Sequence, residues 1–309
     1  MDGLLVIDKP SGPTSFEVVR RVRVLTGNRK AGHTGTLDPL ATGVLPVALG
    51  EATKLAGLLA DGEKAYDAVV RLGLETDTLD VTGTVRRTAP VPPLTEPALA
   101  AALERFRGTH LQTPPMVSAV KVRGRRLYQR ARAGEEVERA ARTVSVHALV
   151  LRDFSASEVT LSLRCSKGFY VRVLADELGR ALGCGGCLKA LRRTASGPFG
   201  IDRAVPLDRL EALAAGPGGE AALRARLIPP VDMLPDLPLF RVAAEDVPRV
   251  AHGVPLPVHL ETPAPRVRVV GPDGALLAVA DVRAGRLAYV RVLSGSEPGK
   301  AGPDTSGRS

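Results

Sequence analysis

Apolar and polar positions mark out most of the secondary elements. Gly3 to Ile7 is a short apolar run closed by Asp8-Lys9-Pro10-Ser11-Gly12-Pro13, a strand followed by turn punctuation. Thr14 and Glu17 have capping-box spacing, Val18, Val22 and Leu25 then share one helical face, and Gly27 ends that helix. Glu51 to Ala60 and Glu96 to Phe106 read as helices, the second with Leu99, Leu103 and Phe106 inward. Tyr66 to Leu72 reads as a strand. Thr143 to Phe154 and Glu158 to Cys165 predict a hairpin about Ser155-Ala156-Ser157, with Val159, Leu161 and Leu163 alternating against Thr160, Ser162 and Arg164. Tyr170 to Leu182 is helical, with Val171, Leu174, Leu178 and Leu182 on its inner face.

Pro229 to Pro238 is proline-rich and marks the clearest boundary in the chain. Beyond it, short strand patterns (Arg266 to Val270, Ala275 to Ala280, Leu287 to Val292) alternate with glycine turns, as in a small β-rich, barrel-like module. The expected division is 1–235, 236–296 and a tail of disordered composition at 297–309.

Charge adds a partner class. The 309 residues carry a formal charge of +9, and only eight of the 42 basic side chains are lysines, leaving 34 arginines. That balance favours a polyanion, with nucleic acid ahead of an anionic membrane, and arginine suits phosphate and stacked bases. An arginine-rich compositional bias is the alternative source of the ratio. The most basic passage is 110–135, where Lys121, Arg123, Arg125, Arg126, Arg130 and Arg132 occur without an intervening acid and Tyr128 is interleaved. It reads as a phosphate-tracking surface, with a solvated charged face as the alternative. Three cysteines cannot build a disulfide framework, and no apolar run is long enough to span a bilayer, so a cytoplasmic, membrane-free setting is expected.

The chemistry-bearing stretch is Gly32-His33-Thr34-Gly35-Thr36-Leu37-Asp38-Pro39-Leu40-Ala41-Thr42-Gly43. Three glycines and a proline oppose a helix, so it predicts an ordered loop that presents one carboxylate and then feeds the buried strand Val44 to Leu49. There is no nucleophile elbow, P-loop or dinucleotide fingerprint. The lone CxxC of Cys184 and Cys187 supplies half a zinc site and reads as a tight turn. Thr76-Asp77-Thr78-Leu79-Asp80-Val81-Thr82-Gly83 lacks the spacing of a calcium loop and reads as Asx and Thr turns. What remains is Asp38 in a basic protein, with Tyr66, Tyr170 and Arg172 as candidate partners.

The loop from Ala31 to Gly43 resembles the signature of TruB-type pseudouridine synthases. The resemblance extends over most of residues 1–235, through Gly3 to Pro10, Leu49-Gly50-Glu51-Ala52-Thr53-Lys54, Thr76 to Asp80, Pro114 to Lys121, Cys165 to Arg172 and Leu191-Arg192-Arg193-Thr194. More loosely, the carboxy-terminal module is similar to a PUA-like RNA-binding domain. The family implies an α+β fold, a large mixed, mostly antiparallel sheet flanked by helices, with an RNA-gripping insertion at about 75–150 and the PUA-like domain appended. It implies isomerisation of one uridine (U55) in the T loop of tRNA to pseudouridine, and a tRNA-folding role beside it.

Residue by residue, the resemblance implies that Asp38 is the nucleophile and Arg172 its ion-pair partner. Tyr66 would stack on the target uracil and handle the C5 proton. Tyr170 and Leu191 would line the base pocket, His33 would stack within the RNA loop, and Lys9 would be structural. Lys121, Arg123, Arg125, Arg126 and Arg130 remain the candidates for the RNA backbone. A carboxylate of ordinary pKa, about 3.9, would already be ionised at neutral pH. Val117 departs from the family, where an aromatic residue is common. The implied reaction neither adds atoms nor changes oxidation state, so no cofactor or metal is expected. The implied partner is the T-arm stem-loop, met by a cytoplasmic monomer with no obligatory protein partner. Two rivals remain at this point: a guide-RNA-dependent, dyskerin-type synthase, and a non-catalytic tRNA-binding protein.

Overall fold

In the computed structural model, residues 1–118, 135, 137–260 and 262–293 are described in full, together with the backbone of two short strands at 121–122 and 125–126. The side chains of Lys121, Arg123, Arg125, Arg126, Arg130 and Arg132, and the tail at 297–309, lie outside the described residues.

The strands of the first half are β1 (Gly3–Lys9), β2 (Ala31–His33), β3 (Thr42–Leu49), β4 (Lys64–Leu72), β5 (Leu74–Thr76), β6 (Val85–Thr88), β7 (Gly108–Gln112), β8 (Lys121–Val122) and β9 (Arg125–Arg126). Those of the second half are β10 (Arg142–Phe154), β11 (Glu158–Cys165), β12 (Gly186–Ser196), β13 (Phe199–Gly200), β14 (Val205–Pro206), β15 (Leu239–Arg241), β16 (Arg266–Val270), β17 (Leu276–Arg283) and β18 (Arg286–Val292). Ten of them make one sheet in the order β14-β1-β3-β12-β4-β11-β10-β7, with β2 added to β3 and β13 to β12. Only β1 with β14 and β12 with β3 run parallel; the other pairs of this sheet are antiparallel. The sheet is therefore mixed and mostly antiparallel, as expected.

Helices cover one face of it. The Ser15–Thr26 helix starts at Thr14 with the reciprocal capping box to Glu17 and ends at Gly27 in the left-handed region. Its Val18, Val19 and Val22 pack with Leu5, Ile7, Leu45 and Val47. The Val171–Ala181 helix, Leu99 and Leu103 of the Glu96–Glu104 helix, and Phe106 just past its end cover β4, β10 and β11. Tyr66 and Leu191 pack against both of these apolar clusters, so the seam between them runs past those two side chains. On the opposite face, Leu4, Val6, Val44 and Ala48 meet Val270, Leu276, Val279 and Leu293.

The carboxy-terminal strands form a four-stranded sheet in the order β15-β16-β17-β18, with β15 parallel to β16. The barrel-like expectation thus becomes an open sheet: no pairing joins β15 to β18 among the described residues. The proline-rich stretch at 229–238 is packed down. Met233 is fully buried, and the Arg268 guanidinium donates to the carbonyls of Leu237, Val231 and Pro235 at 2.7, 2.6 and 3.3 Å.

Three local expectations are corrected. Glu51 to Ala60 is not one helix but a 3-10 segment, Gly50–Leu55, followed by the single turn Ala56–Ala60. Asp8 and Lys9 belong to β1 rather than to a turn, because β1 continues to pair with Val44 and Gly43. The segment through Leu191 to Thr194 is part of the long strand β12, which no sequence pattern announced.

Candidate active site

The predicted loop is shorter than Gly32 to Gly43: Gly32 and His33 belong to β2, Thr42 and Gly43 open β3, and the loop runs from Thr34 to Ala41. Along one edge of β3, β12 pairs only with Thr42 and Gly43, and β2 takes Val47, Ala48 and Leu49. The loop spans the gap between those pairings. Gly43 sits at φ +99°, and a Cβ there would collide with the Arg193 carbonyl, so glycine is required for β3 to close on β12.

Buried donors anchor the loop from behind. Lys9, fully buried, donates from Nζ to the carbonyls of Ala41 at 2.7 Å, Pro10 at 2.8 Å and Pro39 at 3.2 Å. The Ser15 hydroxyl accepts from Leu37 N at 2.8 Å and donates to Leu37 O at 2.9 Å. The Arg193 guanidinium, 1% exposed, donates to Val44 O at 2.7 Å, Gly35 O at 3.1 Å and Thr36 O at 3.4 Å. Backbone carbonyls on both sides of Asp38 are thus fixed, and the carboxylate has little freedom of position.

Asp38 points into a pocket of about 340 Å³. Arg172 meets it there: Arg172 Nε is 2.9 Å from Asp38 Oδ2, with 39% of the Asp38 side chain exposed against 4% of the arginine's. The same guanidinium donates to Thr78 O at 2.9 Å and Val117 O at 2.7 Å, and Asp80 Oδ2 lies 4.0 Å from Nη1. Asp80 is itself held, its Oδ1 accepting from Thr78 Oγ1 at 2.9 Å, Thr82 N at 3.0 Å and the Thr82 hydroxyl. The Asx-turn reading of this segment is therefore correct, and no group of three or more metal-ligating side chains occurs among the described residues. Leu79, between those two ligands of Arg172, sits at φ +63°, a region leucine occupies at a cost of about 1–2 kcal/mol.

The electrostatics are mixed. Loss of solvent raises the Asp38 pKa above its ordinary value, Arg172 opposes that, and Asp80 adds to it. Burial also raises the pKa of Tyr66 and of Tyr170, so both phenols are protonated at neutral pH. Desolvation lowers Lys9 and Lys64 to about 8 each.

The structure brings Asp38, Tyr66, Tyr170, Arg172 and Leu191 to this one pocket. Tyr66 comes from β4, Leu191 from β12, and Tyr170 caps the Val171–Ala181 helix, whose second residue is Arg172. His33 does not line it; it ends β2 opposite Val47, one residue before the pocket-lining Thr34. Sequence reasoning missed Lys64, Arg193, Asp80 and Gln112. Gln112 is buried in β7 and forms a reciprocal pair with the Tyr170 backbone, accepting from Tyr170 N at 2.8 Å and donating to Tyr170 O at 3.2 Å. For Lys64 the available signal was its spacing of two from Tyr66 along β4; Arg193 had none, because β12 was not legible as a strand.

Comparison with known proteins gives a consistent result. Residues 23–171 match the family model described as TruB family pseudouridylate synthase (N terminal domain), and residues 172–234 match the tRNA pseudouridylate synthase B C-terminal domain. The chain is 52% identical to the tRNA pseudouridine synthase B of Aromatoleum aromaticum over 234 residues, 76% of this chain and 74% of that one. It is 47% identical to that of Ralstonia nicotianae over 301 residues, 94% of each chain. Among solved structures it is similar to a chain of a Cbf5-Nop10-Gar1 complex, with a TM-score of 0.72 and 27% identity over 94% of this chain and 84% of that one. A chain of an H/ACA RNP bound to a substrate RNA containing 2'-deoxyuridine shares the fold, with a TM-score of 0.73 at 23% identity over 95% of this chain and 85% of that one.

Proposed function

Because the chain belongs to the TruB family of pseudouridylate synthases, which are isomerases, we propose that it converts U55 of the tRNA T loop to pseudouridine, with Asp38 as the attacking group. The observation that carries the reading is the Asp38–Arg172 pair at 2.9 Å, in a pocket also lined by Tyr66, Tyr170 and Leu191.

Each residue has a task that its surroundings suit. Arg172 has its other two terminal nitrogens on the Thr78 and Val117 carbonyls, so its Nε hydrogen stays aimed at Asp38. That keeps the carboxylate charged and aligned against the desolvation that favours its neutral form. The target nucleotide must leave its stack to reach Asp38, at a cost of a few kcal/mol. Stacking on the half-buried Tyr66 ring returns about 1–3 kcal/mol per base. Leu191 and Tyr170 line the same pocket and would flank the base there. With its phenol protonated, Tyr66 can accept the C5 proton only after passing its own on. His33, at the edge of the loop, is assigned by the same reading to stacking on RNA outside the pocket.

The basic passage at 121–132 is assigned to the RNA backbone on its charge alone. A tRNA-folding role, which needs this grip but not the carboxylate, would survive loss of Asp38. The structural likeness to a chain of a Cbf5-Nop10-Gar1 complex keeps the guide-dependent reading in view, but identities of 47–52% to proteins named tRNA pseudouridine synthase B favour action on tRNA without a guide. The test is to incubate the purified chain alone with an unmodified T-arm stem-loop and assay for pseudouridine. Conversion without any added RNA or protein is expected; none, with conversion restored by a guide RNA, would favour the other reading.

A further inference from the structure

Three cations lie buried beneath the pocket: Lys9 at 0%, Arg193 at 1% and Lys64 at 6% exposure. None of the three forms an ion pair among the described residues: Asp38 faces Arg172, and Asp61, the carboxylate whose field reaches Lys64, pairs with Lys167. Burying a charge without a counterion is costly, which raises the question of what these charges serve. Lys9 spends its three hydrogens on carbonyls behind the loop. Lys64 and Arg193 are placed differently, since both line the pocket.

Their placement follows from register. In the antiparallel pairing of β4 with β12, Tyr66 stands opposite Arg193 and Ala68 opposite Leu191. Lys64 and Tyr66 are two apart on β4, and Leu191 and Arg193 two apart on β12, so all four side chains share one face of the sheet. Both cations converge under Gly35: a Cβ there would lie 3.6 Å from Arg193 Nη1 and 3.9 Å from Lys64 Cε. Lys64 Nζ donates to the Ala60 and Gly62 carbonyls, leaving one of its three hydrogens without a partner among the described residues. Three of the five guanidinium hydrogens of Arg193 go to carbonyls and a fourth faces the Tyr66 hydroxyl, which leaves one. Each cation therefore has a donor left for a ligand, and the apolar seam around it limits competing water.

We propose that Lys64 and Arg193 form an anion subsite at the floor of the base pocket, which receives the negative charge carried by the uracil ring during isomerisation. The inference rests on the reading of Asp38 given above. When the bond between N1 and C1′ breaks, its electron pair leaves with the ring and spreads onto O2 and O4, while an Asp38 oxygen bonds C1′. After the ring turns, C5 attacks C1′ and the Asp38 carboxylate departs. C5 then loses its proton and N1 gains one, so atoms and charge balance. Fixed donors aimed at developing charge in a site shielded from water accelerate such steps by about 10²–10³-fold each.

The lysine titrates in a useful range, at about 8, and its charged neighbours come from several elements: Arg193 from β12, Cys165 from β11, Asp61 after the short helix and Lys167 after β11. Cys165 is itself pushed up to about 12 and stays a thiol. Since the protonated lysine is the active form here, the rate should fall as pH rises through about 8. Lys9 also titrates at about 8, but it lies behind the loop, so only the part of that fall which Lys64 causes disappears with Lys64.

The experiment measures RNA affinity and the single-turnover rate from pH 6 to pH 10 for wild type, Lys64→Met and Lys64→Arg on T-arm RNA, the pH range being set around the shifted lysine. Expected are unchanged affinity in all three, a rate roughly 10²-fold lower in Lys64→Met with a weakened alkaline fall, and a rate largely restored in Lys64→Arg with the same weakened fall. Wild-type rate and alkaline fall in Lys64→Met would overturn the subsite. So would equal losses in both variants with an unaltered pH profile, which is what a purely structural lysine gives. If Lys64→Met does not fold, Lys64→Arg alone still decides: a wild-type alkaline fall in it overturns the proposal. An inactive wild type would instead sink the underlying reading.

Discussion

Arg172 donates through Nε to Asp38 while its two terminal nitrogens hold the carbonyls of Thr78 and Val117, so one guanidinium ties together three separate segments. Lysine keeps the charge but lacks the rigid fork. Arg172→Lys is expected to lower the single-turnover rate by about 10²-fold with RNA affinity little changed, a magnitude in line with removing one fixed charge-stabilising donor. A defect confined to affinity would show that Arg172 grips RNA rather than positions Asp38.

The same pair sets the acid side of the pH profile. Asp38 acts as a carboxylate, and its pKa is raised by desolvation with Arg172 opposing. Activity should therefore fall as pH drops through a midpoint above 3.8, the ordinary value. Removing the opposing charge in Arg172→Met should move that midpoint higher still. Rate against pH on both proteins checks this, and a midpoint that moves down would contradict it.

Gln112 is the second anchor of the site. Truncating it leaves the Tyr170 N–H without its partner, while the Tyr170 carbonyl keeps Val173 N and Leu174 N, and a polar group so orphaned costs about 1–3 kcal/mol. Gln112→Ala is expected to lower stability by that amount in denaturant titration, and to slow catalysis because Tyr170 precedes Arg172. A variant as stable as wild type would mean that water replaces the amide.

The basic passage offers a test by salt. Neutralising Arg125 and Arg126 should weaken RNA binding and reduce the slope of log affinity against log salt by about 0.7–0.9 for each phosphate that is no longer neutralised. An unchanged slope would remove those two arginines from the interface.

The elements that could be read from the sequence are those whose burial follows a simple period. Val18 and Val22, or Val159, Leu161 and Leu163, are apolar because they face a core, and their spacing reports it. Strand β12 has no such signature. It carries Lys189, Arg192 and Arg193 among apolar residues, and irregularities at Leu188/Ala190 and Arg193/Ala195 break its alternation. Arg193 is buried because three carbonyls receive its hydrogens, and those carbonyls lie about 150 residues away in sequence. Gln112 is hidden for the same reason, its partner being 58 positions distant. Asp38 stood out because glycine and proline surround it, which is a local signal. Of the residues that hold it in place, Arg172 and Lys9 took their roles only from the family resemblance, and Arg193 and Gln112 were not reached at all, since what makes them functional is long-range pairing.

The central claim is that Asp38 performs the reaction and does not merely help to bind. The most direct test is a pair of measurements on Asp38→Asn and wild type with the same T-arm RNA: the dissociation constant and the pseudouridine formed in a single turnover. The account expects the variant to bind RNA as wild type does and to form no pseudouridine. Conversion at the wild-type rate by Asp38→Asn would contradict it.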